Sequence, residues 1–333
     1  MSMKVLIVDD SELIRQVLRE ILSAAPDIEV VGAAEHPYEA RDLIKQLSPD
    51  VLTLDVEMPK MDGISFLKNL MRLRPMPVVM ISTLTENGAP ATLDALEYGA
   101  VDYIAKPQGG SWHDLQGYAQ IIQEKVRNAS KANIGSRDFV SDSAPKASPS
   151  SAVRYKVGKV ICLGSSTGGT EALKEVLCSM PANCPPILMA QHIPPAFSGT
   201  FAERLDSLCE LTVCEARAGM PIRPGHAYLA PGDRHLKVMN KGSGLVTALY
   251  DGEKVNGHMP SVDVLFDSVV EVVGKQAVGA ILTGMGSDGA KGLKNILEIG
   301  GKTMVQDERT SVVWGMPGAA VKIHAAEQVL PIK

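Results

Sequence analysis

Short apolar runs that each end at a polar residue are the feature that most limits how this chain can fold. In residues 1–125, such runs at 4–9, 51–55, 78–82 and 101–104 alternate with stretches that have the apolar spacing of an amphipathic helix. This alternation predicts an α/β domain with a doubly wound parallel sheet. Ligands of such sheets bind beyond the carboxyl ends of the strands, which is where the polar residues of these runs stand.

A second region of strand and helix alternation begins near Tyr155, with predicted strands at 159–164, 187–192 and 278–283. Residues 215–257 are less regular, and we expect a hairpin around 237–249. Residues 130–151 are rich in Ser, Ala, Pro and Lys and lack apolar periodicity, which favours an interdomain linker over a long surface loop. We therefore predict two doubly wound parallel-sheet domains, at 1–125 and 154–333, joined by a flexible linker at 126–153.

The charge and hydropathy of the chain exclude some classes of function. The formal net charge is −5 and the sequence pI is about 5.8, which argues against a general nucleic-acid binder. No apolar run approaches the ~18 residues that a membrane span needs, and the N-terminus lacks the features of a signal peptide. We expect a cytoplasmic protein that neither binds nucleic acid nor inserts into a membrane.

Three carboxylates are expected to converge at one edge of the first sheet. Asp9 and Asp10 follow the first predicted strand and Asp55 ends another, so crowding them would need a cation such as Mg²⁺. Asp55 could then attack phosphorus to give an acyl phosphate, with Lys106 and Ser82 beside it. Asp10 taken alone is equally well explained as a helix cap.

Residues 1 to about 120 resemble a response-regulator receiver domain, which has a flavodoxin-like fold. The resemblance is carried by the double Asp, Asp55 before VEMP, the Asp62-Gly63 pair, Ser82 and Lys106-Pro107. It implies phosphorylation at Asp55, with a chemotaxis histidine kinase as phosphodonor. It also implies Mg²⁺ held by Asp10, Asp55 and the backbone carbonyl of Glu57, with Asp9 acting indirectly, and a switch made of Ser82, Tyr103 and Lys106.

The second domain carries a glycine-rich turn, GSSTGG at 164–169, between a predicted strand and a predicted helix. Such a turn can cradle phosphate with backbone N–H groups, or it can hold a nucleophilic serine on a tight elbow. The dinucleotide spacing and the Walker lysine are both absent, which favours the nucleophile. The elbow register favours Ser166 over its rival Ser165.

A serine nucleophile needs a base and a carboxylate that orients the base. His192 and Asp288 follow two further predicted strands, so all three side chains are expected at one sheet edge. Spacing alone leaves other bases open, namely His226, His235, His258 and His324, and Asp288 could merely cap the following helix.

Residues from about 155 to 333 resemble the catalytic domain of the chemotaxis protein-glutamate methylesterase family, a Rossmann-like α/β hydrolytic domain. The matching stretches are GSSTGGTE, QH at 191–192, LAPGDRH, LTGMGSDG and QDERTSVVWGMPGAA. Ile193 and Trp314 depart from residues common in the family, at positions that carry no proposed chemistry. The resemblance implies Ser166 as nucleophile, His192 as base and then acid, and Asp288 as its orienting partner. It also implies the Met285 backbone N–H as oxyanion donor, with Thr167 as a weaker one.

We therefore expect a phosphorylation-activated hydrolase that removes γ-methyl esters from glutamates on the cytoplasmic helices of chemoreceptors, needs no cofactor for that step, and also deamidates receptor glutamines. Three rival hypotheses are a receiver joined to a DNA-binding output, a receiver joined to a nucleotide-binding output, and an inactive scaffold.

Overall fold

The computed structural model describes residues 2–83, 88–106, 118–134, 158–242 and 244–333. The chain divides into two compact units, Met1–Phe139 and Val140–Lys333. Most of the predicted linker, and Pro107 of the receiver motif, lie outside the described residues. Helix α5 (Ala119–Ser130) continues past residue 125, our predicted end of the first domain, because Val126 and Ala129 on its inner face are buried.

The first unit contains a five-stranded parallel sheet with the order β2-β1-β3-β4-β5. Its strands are β1 (Met3–Val8), β2 (Ile28–Ala34), β3 (Val51–Asp55), β4 (Val78–Thr83) and β5 (Asp102–Lys106). The other helices described here are α1 (Glu12–Ser23), α2 (Pro37–Leu47), α3 (Gly63–Leu73) and α4 (Gly88–Glu97). The strand order reverses direction between β1 and β3, and the crevice for ligands in such a sheet lies at this reversal.

The second unit contains a seven-stranded parallel sheet with the order β14-β13-β12-β6-β7-β9-β8. Its strands are β6 (Val160–Ser165), β7 (Ile187–Gln191), β8 (Thr212–Glu215), β9 (His226–Leu229), β12 (Ala277–Ile281), β13 (Lys302–Gln306) and β14 (Gln328–Leu330). Its helices are α6 (Gly169–Cys178), α7 (Pro195–Leu208), α8 (Val262–Val273), α9 (Ala290–Glu298) and α10 (Met316–Lys322). The predicted hairpin is present as the antiparallel pair β10 (His235–Asn240) and β11 (Leu245–Tyr250).

The central strands of the second sheet are apolar along their length because helices cover both faces of a parallel sheet. All five residues of β7 are buried, and β6 is buried apart from Ile161. The strand order reverses between β6 and β12, and β7 lies beside β6. The predicted fold class, two doubly wound parallel-sheet domains, is confirmed. No helix in the described part of the chain is long and apolar enough to cross a bilayer.

Candidate active site and acidic pocket

The serine turn lies at the reversal of the second sheet. Strand β6 ends at Ser165 and helix α6 begins at Gly169, so Ser166 stands on the short connection between them. Gly168 has φ +75°, a left-handed conformation that favours glycine, and a Cβ on Gly169 would lie 2.1 Å from Gln191 Oε1. The two glycines therefore permit the tight turn and its close approach to β7.

Ser165, the rival nucleophile, is fully buried and its hydroxyl is already used. Ser165 Oγ donates to Gln191 Oε1 at 2.6 Å. Gln191 Nε2 in turn donates to the carbonyl oxygens of Ser166 (3.0 Å) and His192 (3.2 Å). This amide joins the backbone of the turn to the end of β7, so Ser165 has a structural role and Ser166 remains the candidate nucleophile.

His192 and Asp288, which are separated by 96 positions in the chain, are in direct contact. His192 Nε2 lies 3.0 Å from Asp288 Oδ2, and their side chains are only 8% and 1% exposed. His192 Nδ1 is buried and has no hydrogen-bond partner among the described residues. If Nε2 carries the proton toward Asp288, Nδ1 is the nitrogen that keeps a lone pair for a proton from Ser166. No hydrogen bond joins Ser166 Oγ to His192 within the described ranges.

Asp288 accepts hydrogen bonds from five donors in the described part of the chain. They are His192 Nε2, Asn256 Nδ2, Ser261 Oγ and the backbone N–H groups of Val262 and Asp263. Burial raises the pKa of the Asp288 carboxyl, but the hydrogen bond and charge of His192, together with Asn256 and Val262, outweigh it and hold the pKa well below its usual range. Asp288 is therefore a permanently ionised partner for His192. It is more than a helix cap.

Sequence reasoning missed the residues that surround Asp288. Asn256 Nδ2 donates to Asp288 Oδ1 at 2.8 Å and to Asp263 Oδ2 at 2.7 Å, and Asp263 Oδ1 accepts from Gly292 N. Burial, with the charge of Asp288, raises the pKa of Asp263. The Asn256-Gly257 pair, a strong turn signal, could have marked this position, although not the contact with Asp288.

The four competing histidines have other contacts. His226 Nδ1 lies 3.1 Å from the Pro224 carbonyl oxygen. His235 is fully buried, with Nε2 3.0 Å from the Glu253 carbonyl oxygen, while Nδ1 accepts from Ser261 N. The His258 ring stacks on the His192 ring, with centroids 3.7 Å apart and planes 9° apart. The carbonyl oxygen of His324 accepts from Lys294 Nζ.

The candidate oxyanion donors lie beside the serine turn. Ser166 N donates to Thr283 O, and a Cβ on Gly284 would lie 2.8 Å from Ser166 Cβ, so this backbone passes directly against the turn. The next N–H along the chain, that of Met285, donates to no acceptor within the described ranges. Thr167 is buried, and its carbonyl oxygen accepts from Thr283 Oγ1. Both oxyanion assignments stay predictions.

The acidic pocket of the first unit forms at the reversal of its sheet. Asp9, Asp10 and Asp55 each offer a carboxylate oxygen, and these oxygens all lie within 4.8 Å of one another. Lys106 Nζ lies 3.0 Å from Asp9 Oδ2 and 2.8 Å from Asp55 Oδ2. Burial and the charge of Asp9 raise the pKa of Asp55 to about 6, against the opposing effect of Lys106. Burial likewise raises the pKa of Asp9.

This pocket fits Mg²⁺ on the chemistry of its donors. Three carboxylates are hard oxygen ligands, and one lysine does not neutralise them. Burial first, and then the charge of Asp9, raise the pKa of Asp55, and a bound cation would oppose both effects.

The predicted switch residues border the same sheet. Ser82 is buried near the end of β4, and Tyr103 is buried on β5, where burial raises the pKa of its phenol well above the usual value. Asp62, part of the motif pair, caps α3 by accepting from Ser65 N. The side chain of Glu57 is exposed, and only its backbone carbonyl is assigned to the cation.

Comparison with known proteins gives matches along most of the chain. Residues 161–333 match the family model of CheB methylesterase, and residues 5–111 match that of the response regulator receiver domain. A protein-glutamate methylesterase/protein-glutamine glutaminase of Hydrogenovibrio crunogenus is 53% identical over 99% of this chain and 96% of its own length. A second protein with that name, from Saccharophagus degradans, is 56% identical over 99% of this chain and 95% of its own. The crystal structure of the Thermotoga maritima CheB methylesterase catalytic domain is 40% identical, with a TM-score of 0.52, over 53% of this chain and 94% of that one.

Proposed function

Because the chain belongs to the CheB methylesterase family, with a response regulator receiver domain before its catalytic domain, we propose that it hydrolyses glutamate γ-methyl esters on chemoreceptors through Ser166, His192 and Asp288. The observation that carries this proposal is the buried contact between His192 Nε2 and Asp288 Oδ2 beside the serine turn. Protein-glutamine glutaminase activity at the same site is part of the proposal, since the curated relatives carry both names.

In the first half of the reaction, Ser166 Oγ attacks the ester carbonyl carbon while its proton moves to His192 Nδ1. Nδ1 takes this role because Nε2 lies on the ionised Asp288, which stabilises the imidazolium that forms. The Met285 N–H, which has no other acceptor in the described residues, donates to the oxyanion. The tetrahedral intermediate collapses, and methanol leaves with the proton from His192.

In the second half, His192 Nδ1 accepts a proton from water as the water attacks the acyl-enzyme. Breaking the bond to Ser166 Oγ returns that proton to the serine and releases the glutamate carboxyl group, which loses the second proton of the water to solvent. A glutamine side chain presents the same carbonyl, with ammonia as the leaving group in place of methanol. Every step of this mechanism uses side chains or backbone groups of the second unit, and none draws on a cofactor.

The receiver unit supplies the control. The carboxylate of Asp55 attacks the phosphorus of a phosphohistidine on a histidine kinase, so that a P–O bond forms to Asp55 while the P–N bond breaks and the kinase imidazole leaves. Asp10, Asp55 and the Glu57 carbonyl would hold Mg²⁺, which supplies charge neutralisation when bound, and Asp9 acts indirectly. Lys106 keeps an ion pair with the Asp55 side chain, and Ser82 and Tyr103 carry the change to the domain surface, raising the hydrolase rate.

The test is methanol release from methylated receptor membranes, measured with and without a small phosphodonor and Mg²⁺. Ser166→Ala should remove nearly all turnover, whereas Ser165→Ala, the neighbouring hydroxyl, should keep most of it. The phosphodonor should raise the rate of the wild-type chain. An active Ser166→Ala enzyme would reject the catalytic assignment, and a wild-type chain that releases no methanol would reject the function.

A further inference from the structure

Two residues that contact Asp288 and His192, Asn256 and His258, belong to one tight turn, Val255-Asn256-Gly257-His258. Val255 and His258 exchange two backbone hydrogen bonds, of 3.0 and 2.9 Å. Asn256 has φ +54° and Gly257 has φ +81°, the pair of left-handed conformations of a type I′ turn. We call these four residues the NG turn.

Asn256, at one corner of the NG turn, contacts the acid. Its Nδ2 donates to Asp288 Oδ1 at 2.8 Å and to Asp263 Oδ2 at 2.7 Å, so one amide group links two carboxylates. Asn256 is otherwise exposed, whereas both carboxylates are buried. The amide fixes the Asp288 oxygen that His192 does not use, and its donors offset the repulsion between the two acids.

His258, at the end of the NG turn, contacts the base. Its ring lies parallel to that of His192 with 3.7 Å between centroids. A flat ring at this distance restricts rotation of the His192 side chain about its own axis. Since Nε2 and Nδ1 of His192 have different tasks, the plane of the imidazole must be held for both tasks to be met.

The NG turn is itself anchored by a buried histidine. His235 Nε2 lies 3.0 Å from the Glu253 carbonyl oxygen, and its Nδ1 accepts from Ser261 N, so one ring fastens the chain on both sides of the turn. Ser261 Oγ then donates to Asp288. The turn is therefore held in place from the core while Val255, Asn256 and Gly257 are exposed and His258 is half-buried, so substitutions in it need not disturb the core.

We infer that Asn256 and His258 are positioning residues for catalysis: Asn256 fixes the carboxylate of Asp288, and His258 fixes the imidazole plane of His192 so that Nδ1 stays available to Ser166. The inference rests on the proposed esterase function. Neither residue touches the reacting atoms, and both act through the pair that does.

The first test compares Asn256→Gly with Asn240→Gly in the full chain, using methanol release over a range of receptor concentration and pH. Glycine keeps the left-handed backbone of residue 256 and removes only its amide. We expect kcat to fall about tenfold with KM unchanged, since the lost hydrogen bond serves the transition state. Asn240→Gly, which removes an amide at the exposed last residue of β10, should have the kinetics of the wild type.

The pH profile separates positioning from misfolding. Among the described residues, the titratable side chains that face His192 and Asp288 are Asp263, which is linked from α8 through Asn256, and His258. With one donor fewer, the negative charge of Asp288 interacts more strongly with the imidazolium of His192, so the acid limb of kcat/KM moves to higher pH. Partial unfolding would lower kcat without moving the limb. An Asn256→Gly chain with the wild-type kcat and limb would overturn the role of Asn256.

The second test compares His258→Phe with His258→Ala. Phenylalanine keeps a flat ring against His192, so kcat should stay within about twofold of wild type, whereas alanine should lower it about tenfold. Equal losses in both variants, or no loss in His258→Ala, would overturn the stacking role. Ser166-dependent turnover by the wild type tests the proposed function separately, so these outcomes bear on the NG turn alone.

Discussion

Asp55 and Asp288 are buried aspartates at the same kind of position, the carboxyl edge of a doubly wound parallel sheet, yet their surroundings drive their pKa values in opposite directions. Burial and the neighbouring Asp9 raise the pKa of Asp55 to about 6. The pKa of Asp288 is held well below its usual range, although burial acts to raise it as well. Position on the sheet therefore does not decide the chemistry of an aspartate.

The difference lies in the supply of hydrogen-bond donors. Asp288 has five donors in the described part of the chain, among them two backbone N–H groups at the start of α8, where the helix dipole also favours an anion. Asp55 has two donors in the same part of the chain, the backbone N–H of Glu57 and a lysine that it shares with another carboxylate. A carboxylate saturated with donors is a stable anion suited to orienting a histidine. A carboxylate with few donors attracts a cation, and its lone pairs are available to attack phosphorus.

The largest effect on turnover should come from removing the charge of Asp288. Asp288→Asn should lower kcat by about 10³–10⁴-fold, because an amide can turn an N–H toward Nε2 and leave the proton of His192 on Nδ1, the wrong nitrogen. Asp267→Asn, on the exposed side of α8, serves as the matched control for methanol release. A loss of less than tenfold in Asp288→Asn would mean that the ion pair is not what positions His192.

Removing the charge of Asp55 should leave the unstimulated rate of methanol release unchanged and abolish its response to phosphorylation. Asp55→Asn should release methanol at the unstimulated wild-type rate and show no increase with a small phosphodonor and Mg²⁺, because it has no carboxylate to phosphorylate. Asp42→Asn, which pairs only with the exposed Arg41 among the described residues, should still respond. Stimulation of Asp55→Asn would place the modification at another residue.

The same substitution should also stabilise the receiver unit. Between the ordinary aspartate pKa and about 6, the folded state binds more protons at Asp55 than the unfolded state, so its stability falls as pH rises through this window. Asp55→Asn should then raise the free energy of unfolding by about 1–3 kcal/mol at neutral pH without Mg²⁺. Thermal melting checks this. Mg²⁺ should raise the melting temperature of the wild type and have less effect on Asp55→Asn, and a destabilised variant would contradict the account.

The smallest predicted effect concerns Asp263, which shares the amide of Asn256 with Asp288. Asp263→Asn removes a negative charge close to Asp288, so the imidazolium of His192 should be slightly less stabilised. The acid limb of kcat/KM should move to lower pH, opposite to the shift expected for Asn256→Gly. Shifts of the same sign in the two variants would show that charge around Asp288 does not control His192.

The sequence predicted the edges of both sheets because apolar runs such as 187–192 stop where a buried strand ends. Parallel strands bring such ends together, so the sequence predicted that His192 and Asp288 lie close to each other although they are 96 positions apart in the chain. The choice of Ser166 over Ser165 rested on a short register pattern and stays a prediction, which is supported by the hydrogen bond that the Ser165 hydroxyl donates to Gln191.

The donors around Asp288 could not be found in the same way. Asn256 lies in an exposed, irregular stretch, and its contact with Asp288 depends on how α8 and its preceding loop fold back over the sheet. The apolar periodicity of a sequence does not indicate such a tertiary contact. The number of donors, which separates the two aspartates, is therefore visible only in the folded chain.

The most direct measurement of this contrast is a pH titration of the aspartate carboxyl carbons by ¹³C NMR without Mg²⁺, with Asp55→Asn and Asp288→Asn used for assignment. We expect the Asp55 resonance to titrate near pH 6 and the Asp288 resonance to stay ionised down to the pH at which the protein unfolds. Two resonances that titrate together at the ordinary value for aspartate, or in the reverse order, would contradict the claim that donor supply sets the two acids apart.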